Sequence, residues 1–272
     1  MADGERTKLQ PPDDTPMLPW YQGAFSHAFI ALHPFFTVDG LDPSSCDYGS
    51  LNLAASDRPH GANLWEWSED QASARREGKE LAGTSIADIA KRFGRRVAWQ
   101  TIREDAGFHD NRSLDRALRT HIMGLKRELE DRGAAERLTS YCKQHKIFLP
   151  TEGGFQPTME ADLVNMLERA GLSDIIVGDE FGEDEILVSL KSLAGSPAWE
   201  SREDLPKWGA RRLIAPDHSL LVWVHWDSFY AAVFGTSERI RRSCVEEIFE
   251  GFWCSNENTT YWLGDDDIAC GN

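Results

Sequence analysis

The chain has 272 residues, 41% of them hydrophobic, with 10 Trp and 13 Phe, enough apolar matter to form a core without disulfide or metal staples. Its formal net charge of −16 weighs against nucleic acid and anionic lipid as partners and favours cationic ones, besides serving solubility. The five cysteines, Cys46, Cys142, Cys244, Cys254 and Cys270, show no CxxC spacing. There is no apolar leader, and no apolar run approaches the length of a membrane span, so a cytoplasmic protein that does not cross a membrane is expected.

In chain order, residues 1–19 read as a flexible tail, with Pro11, Pro12, Pro16 and Pro19 among charged and small residues. The apolar run Ala24 to Val38 is a buried strand or a short helix broken at Pro34, and 39–63 is loop-like. Residues 64–132 read as helical. Ser85 caps IADIAKRF and Gly94 stops it; VAWQTIREDAGF is a second helix ending at Gly107. A long helix capped by Asn111 or Ser113 is expected from Leu114 to Asp131, on the stripe Leu114, Leu118, Ile122, Leu125 and Leu129, with Gly133 as its stop.

Another helix covers 134–145. IFLP is a short strand, TEGGFQP a turn, Met159 to Ala170 a helix and DIIVG a strand. RRLIAP, SLLVWVHW and FYAAVFG then form a β meander, followed by a helix capped by Ser237 and a last strand or hairpin in GFWCSNENTTYWL. The fold class is α+β, a helical middle segment packed with a mainly antiparallel C-terminal sheet. Residues 20–272 form one domain, divisible into a helical part (64–145) and a β-rich part (146–272).

Charge is uneven. Residues 84–132 carry 11 Lys/Arg and 8 Asp/Glu, whereas 152–190 hold 10 acids and one base, and 246–272 hold 7 acids and no base. Arg112, Arg116 and Arg119 are spaced to share a helix face that can meet phosphates. A packing module whose arginines pair with nearby acids fits the weak local charge better.

Carboxylates and histidine supply general acid–base chemistry. The candidates are Glu152, Asp179, Glu180, His225 and Asp227, in the TEGGFQP, GDEF and HWDSFY segments. The DEFGEDE run lacks EF-hand spacing and reads as a solvated loop rather than a metal site. Cys254, flanked by Glu250 and Glu257, reads as structural. The aromatic load of the last third, with Trp226 and Tyr230 foremost, is mostly core, and any surplus suits a binding surface. No cofactor motif is present: no GxGxxG, Walker loop, GxSxG or HExxH.

Together LHPFF (32–36), WQTIREDAGF with NRSLDRALRTHI (99–122), PTEGGFQPTME (150–160), AGLSDIIVGDEF (170–181), HWDSFYAAVFG (225–235) and EGFWC (250–254) resemble a bacterial family of unknown function. The resemblance runs from about residue 25 to 262. It implies a bacterial cytosolic origin and one co-occurring unit, and carries no catalytic role. Three functions compete. The first is a non-catalytic binding or regulatory protein whose acidic surface meets a cationic partner. The second is a small-molecule enzyme with the carboxylate/His site above. The third is nucleic-acid binding through 84–132.

Overall fold

The structure, a computed structural model, describes residues 9–46, 48, 59–63, 66–67, 70, 85–206 and 209–260. Expectations for residues 1–8, most of the helical stretch 64–84, Trp208, Tyr261, Trp262, Cys270 and the acids at 265–267 lie outside the described residues.

Strands form where β-branched and aromatic residues cluster. They are β1 (His27–Leu32), β2 (Phe35–Thr37), β3 (Arg95–Val97), β4 (Asp174–Gly178), β5 (Glu185–Ser189), β6 (Arg212–Ile214), β7 (Leu220–Val224), β8 (Tyr230–Gly235) and β9 (Gly251–Trp253). Seven of them make one sheet in the order β5-β4-β6-β7-β8-β1-β9, antiparallel throughout. β2 and β3 form a separate ribbon. The meander supplies β6, β7 and β8, as expected. The strand from the N-terminal apolar run, β1, lies between β8 and β9, with His27 opposite Gly235 and Leu32 opposite Tyr230. A strand from near the start of the chain thus completes the C-terminal sheet.

The helices are α1 (Met17–Trp20), α2 (Ile86–Phe93), α3 (Trp99–Asp105), α4 (Asn111–His121), α5 (Arg132–His145), α6 (Glu160–Arg169), α7 (Leu190–Leu193), α8 (Ser237–Ser243) and α9 (Val245–Ile248). Successive strand residues point to opposite faces, and both faces are covered. Leu221, Trp223, Tyr230, Ala232 and Phe234 pack with Trp99, Ile102, Leu114, Leu118 and Leu138 of α3, α4 and α5. Leu220, Val222, Val224, Ala231 and Val233 pack with Leu163, Val164, Leu167, Ile240 and Val245 of α6, α8 and α9. Burial on both sides is why β7 and β8 are apolar at every position rather than alternating.

Several boundaries follow local chemistry, and several expectations are corrected. Ser85 accepts from Ala87 N and Gly94 ends α2, as expected. The long helix from 114 to 131 does not form. Ile122 ends α4, and Met123 takes a left-handed φ of 61°. Asp131 then caps α5, so Gly133 lies inside a helix rather than after one. The cap of α4 is Asp110, in a reciprocal box with Ser113. Thr236, not Ser237, caps α8. Residues 9–19 are not a loose tail either: Met17 is fully buried, Gln10 Nε2 donates to Val224 O at 2.9 Å and Met17 N donates to Asn258 O at 2.8 Å. No helix of the described residues is long and apolar enough to cross a membrane.

Candidate acid–base site

The site starts from one turn. Residues 151–154 connect the end of the Phe148 bridge to the 3-10 turn Pro157–Met159, and Thr151 is held at every polar atom. Its N–H donates to Gln156 Oε1 at 2.6 Å, its carbonyl accepts from His33 Nδ1 at 2.9 Å, and its hydroxyl meets the Tyr48 hydroxyl. Since a carbonyl only accepts, His33 carries its proton on Nδ1; burial lowers its pKa to about 4 and keeps it neutral. Gly153 N donates to Ser228 O at 3.0 Å. At its φ of +59° a Cβ would strike the Trp226 carbonyl and the Arg211 guanidinium, so only glycine fits this crossing. The two contacts lock the turn that carries Glu152 onto the β7–β8 connection.

That connection holds His225, Asp227 and Ser228. Ser228 folds it back, its N–H and hydroxyl both donating to His225 O, at 3.0 and 2.8 Å. Asp227 N donates to His225 Nδ1 at 3.3 Å, which places the neutral ring's proton on Nε2, donating to Asp13 Oδ1 at 3.1 Å. Burial, then the charge of Arg119, pushes His225 downward, while Asp13 opposes. Arg119 itself is buried, bound through Nε to Asp115 Oδ2 at 2.8 Å and through Nη2 to Thr260 O at 3.3 Å. The Tyr230 hydroxyl donates to the same carbonyl at 2.6 Å.

The carboxyls respond to one another. Burial and then the charge of Asp227 raise Glu152 to about 7, with Arg211 opposing. Burial also raises Asp227; Arg119 opposes it, and Asp13 and Glu180 add to it. Arg211 is lowered by burial and held up by Glu180 and Glu152. A carboxyl near neutrality can both give and take a proton at cellular pH. Glu152 and Arg211 line a cleft of about 250 Å³, with Phe155, Trp199, Glu200 and Ala210 among its other walls.

Of the five acid–base candidates, Glu152, Glu180, His225 and Asp227 come together and Asp179 does not. Asp179 is buried, and its carboxyl accepts from Gly182 N and Glu183 N at 2.6 and 3.0 Å, capping the β4–β5 turn. Arg212 Nε donates to its carbonyl at 2.7 Å. The binding candidates divide as well. Trp226 is 55% exposed beside Asp227, whereas Tyr230 is fully buried in the sheet. Arg112 is exposed, Arg116 half-buried and Arg119 buried, so the three share no face open to phosphates. Burial pushes the Cys254 thiol up to about 12, which suits the structural role expected of it.

Sequence reasoning missed Arg211, Glu200 and Asp13. A charged residue at the mouth of an apolar meander strand was the available signal for Arg211. Asp13, in a proline-rich stretch, had none.

Four acids of the two acidic segments take up internal tasks. Glu160 pairs with Lys91 at 2.8 Å and Asp162 with Arg96 at 2.5 Å. Glu250 accepts from Trp99 N and Gln100 N at the start of α3, at 2.8 and 2.9 Å. Glu246 accepts from Trp253 Nε1 at 2.7 Å.

A family model described as "Protein of unknown function (DUF2711)" matches residues 13–263. No curated protein and no solved structure matches the chain.

Proposed function

The chain belongs to the DUF2711 family, and we propose that it is a small-molecule enzyme in which Glu152 serves as general acid and base. Burial, reinforced by the like charge of Asp227, holds Glu152 near the balance point of its two protonation states at neutral pH, so that it can both give and take a proton. Arg211 anchors the substrate's polar group across the cleft. Asp13 and His225 fix the Asp227 loop. The observation that carries this proposal is the Glu152 carboxyl, raised to about 7 at the wall of a cleft beside Asp227 and Arg211. Support for an acidic docking surface is weaker, since Glu160, Asp162, Glu246 and Glu250 are engaged within the fold. The described cysteines Cys46, Cys142, Cys244 and Cys254 are free thiols, which suits a cytosolic setting.

The test follows the Glu152 carboxyl by ¹³C NMR through a pH titration. Its midpoint is expected near 7 and is expected to fall in Asp227→Asn, which removes the like charge. A midpoint in the ordinary range of about 4 to 5 would remove the acid–base role. A metabolite panel read by thermal shift then seeks compounds that stabilise the wild-type protein and not Glu152→Gln.

A further inference from the structure

The cleft at Glu152 does not end at Glu200. It adjoins a second of about 400 Å³, and the two share Trp199, Glu200 and Gly209 as walls. Glu200 thus stands at the junction, in the 3-10 turn Trp199–Ser201. That turn is rigidly placed. Ala198 N donates to Asp88 Oδ1 at 2.6 Å, Trp199 N to Glu160 Oε1 at 2.9 Å and Trp199 Nε1 to Leu193 O at 3.0 Å.

Glu200 is exposed at the residue level and lines both clefts, so its carboxyl is flanked by their walls while staying reachable. Burial by the surrounding walls raises its carboxyl, and the neighbouring charge of Asp88 raises it further. Arg202, the cation of the second cleft's wall, is engaged elsewhere: it is forked onto Asp204, at 2.9 and 2.6 Å, and donates to Ser192 O at 2.8 Å. Arg211, at the Glu152 end, stands between Glu180 and Glu152. It keeps a buried Nη1 without a hydrogen-bond partner and so suits a polar group at the ligand's far end. Glu203 adds another acid to the far part. Between the two ends lies an apolar wall, where Phe155 packs edge-on against Trp199 with ring centroids 5.3 Å apart.

A carboxylate facing a cleft, with a like charge behind it and apolar rings beside it, is complementary to an ammonium on an alkyl chain. The ammonium brings three N–H donors and a compact positive charge. We infer that the joined cleft binds an elongated primary amine, with its ammonium on Glu200, its chain along Phe155 and Trp199, and its far end at Glu152. Only the placement of the reacting end rests on the acid–base reading of Glu152; the ammonium seat stands on Glu200 and the cleft.

The experiment compares 1-aminohexane with 1-hexanol, titrated into the full chain and followed by ¹H–¹⁵N NMR. The amine is expected to bind roughly tenfold tighter than the alcohol, as a charge-assisted hydrogen bond gives. That preference should disappear in Glu200→Gln, survive in part in Glu200→Asp, and persist in Glu203→Gln and Glu152→Gln. Equal binding of amine and alcohol to the wild-type protein, or an unchanged preference in a folded Glu200→Gln, would overturn the inference. An amine preference in a protein whose Glu152 titrates ordinarily would keep the ammonium seat and remove the acid–base role. A Glu152 midpoint near 7 without an amine preference would do the reverse.

Discussion

Glu152 and Glu160 lie in one short stretch, and burial holds both carboxyls up to about 7, yet the two regions have opposite purposes. Glu160 is 1% exposed, takes a 2.8 Å ion pair from Lys91 and accepts Trp199 N at 2.9 Å. It ties α2, α6 and the 199–201 turn together. Glu152 lies at a cleft wall, where its strongest charged neighbour is another carboxylate, Asp227. A raised carboxyl is therefore not by itself a mark of function. What separates the two is the partner: a cation in contact makes a brace, and an acid with open space in front makes a reactive group.

The largest effect is expected from removing the brace. Lys91→Met leaves Glu160 buried without its cation and is expected to cost about 3 kcal/mol at pH 8, measured by urea unfolding. The cost should shrink by pH 5. Folded Glu160 keeps its proton up to about 7 while its unfolded counterpart releases it near 4.5, so its contribution is fully present below 4.5 and is lost as pH rises through 7. A cost independent of pH would mean that Lys91 acts through packing and its hydrogen bonds to Gly195 O and Pro197 O rather than through the Glu160 charge. Arg119→Met should behave like Lys91→Met, at about 3 kcal/mol, because Asp115 is left fully buried.

Next in size is the support of the reactive turn. His33→Phe removes the donor to Thr151 O and is expected to cost about 1 to 2 kcal/mol. It should also let the Glu152 midpoint drift toward the ordinary range; stability lost with that midpoint unmoved would limit His33 to the core. Glu152→Gln, on the other side of the comparison, should stabilise the protein by about 1 kcal/mol at pH 8, after allowing for solvent screening of a half-open group. At pH 4 it should change nothing, since Glu152 is then protonated in either state. A loss at pH 8 would make Glu152 a second brace. The smallest effect is expected on the outer face of α4, where Arg112→Ala should stay within about 0.5 kcal/mol in the same unfolding assay.

Much of the frame is legible in the residues. Ser85 and Gly94 bound a helix by a side-chain cap and a chain stop. DIIVG and the three meander runs carry enough β-branched and aromatic residues to identify strands. The failures have physical causes too. The stripe Leu114 to Leu129 continues the helical period through a point where the backbone reverses at Met123, with Gly124 close against Asp227; periodicity records which face is apolar and not where the chain turns. EILVS forms β5, although Ile186 and Leu187 are 40% and 62% exposed, because hairpin pairing with β4 replaces the burial that marks other strands. Within the site, the grouping of Glu152, Glu180, His225 and Asp227 was readable as three polar segments. The places of Asp13 and Glu200 were not, since each reaches the site through tertiary contacts rather than through a local pattern.

The position of β1 bears on how the molecule comes into being. Ala28 sits opposite Phe234, so the sheet's interior is closed by residues from far-apart parts of the chain. During synthesis β1 waits, unpaired and apolar, until β8, with Gly235 opposite His27, has left the ribosome. Pairings across such sequence distances are slow to form, and an exposed strand invites wrong partners meanwhile. The helices α3 to α5, made in the interval and packed on the same face as Ile30 and Leu32, can shelter that strand until β8 arrives.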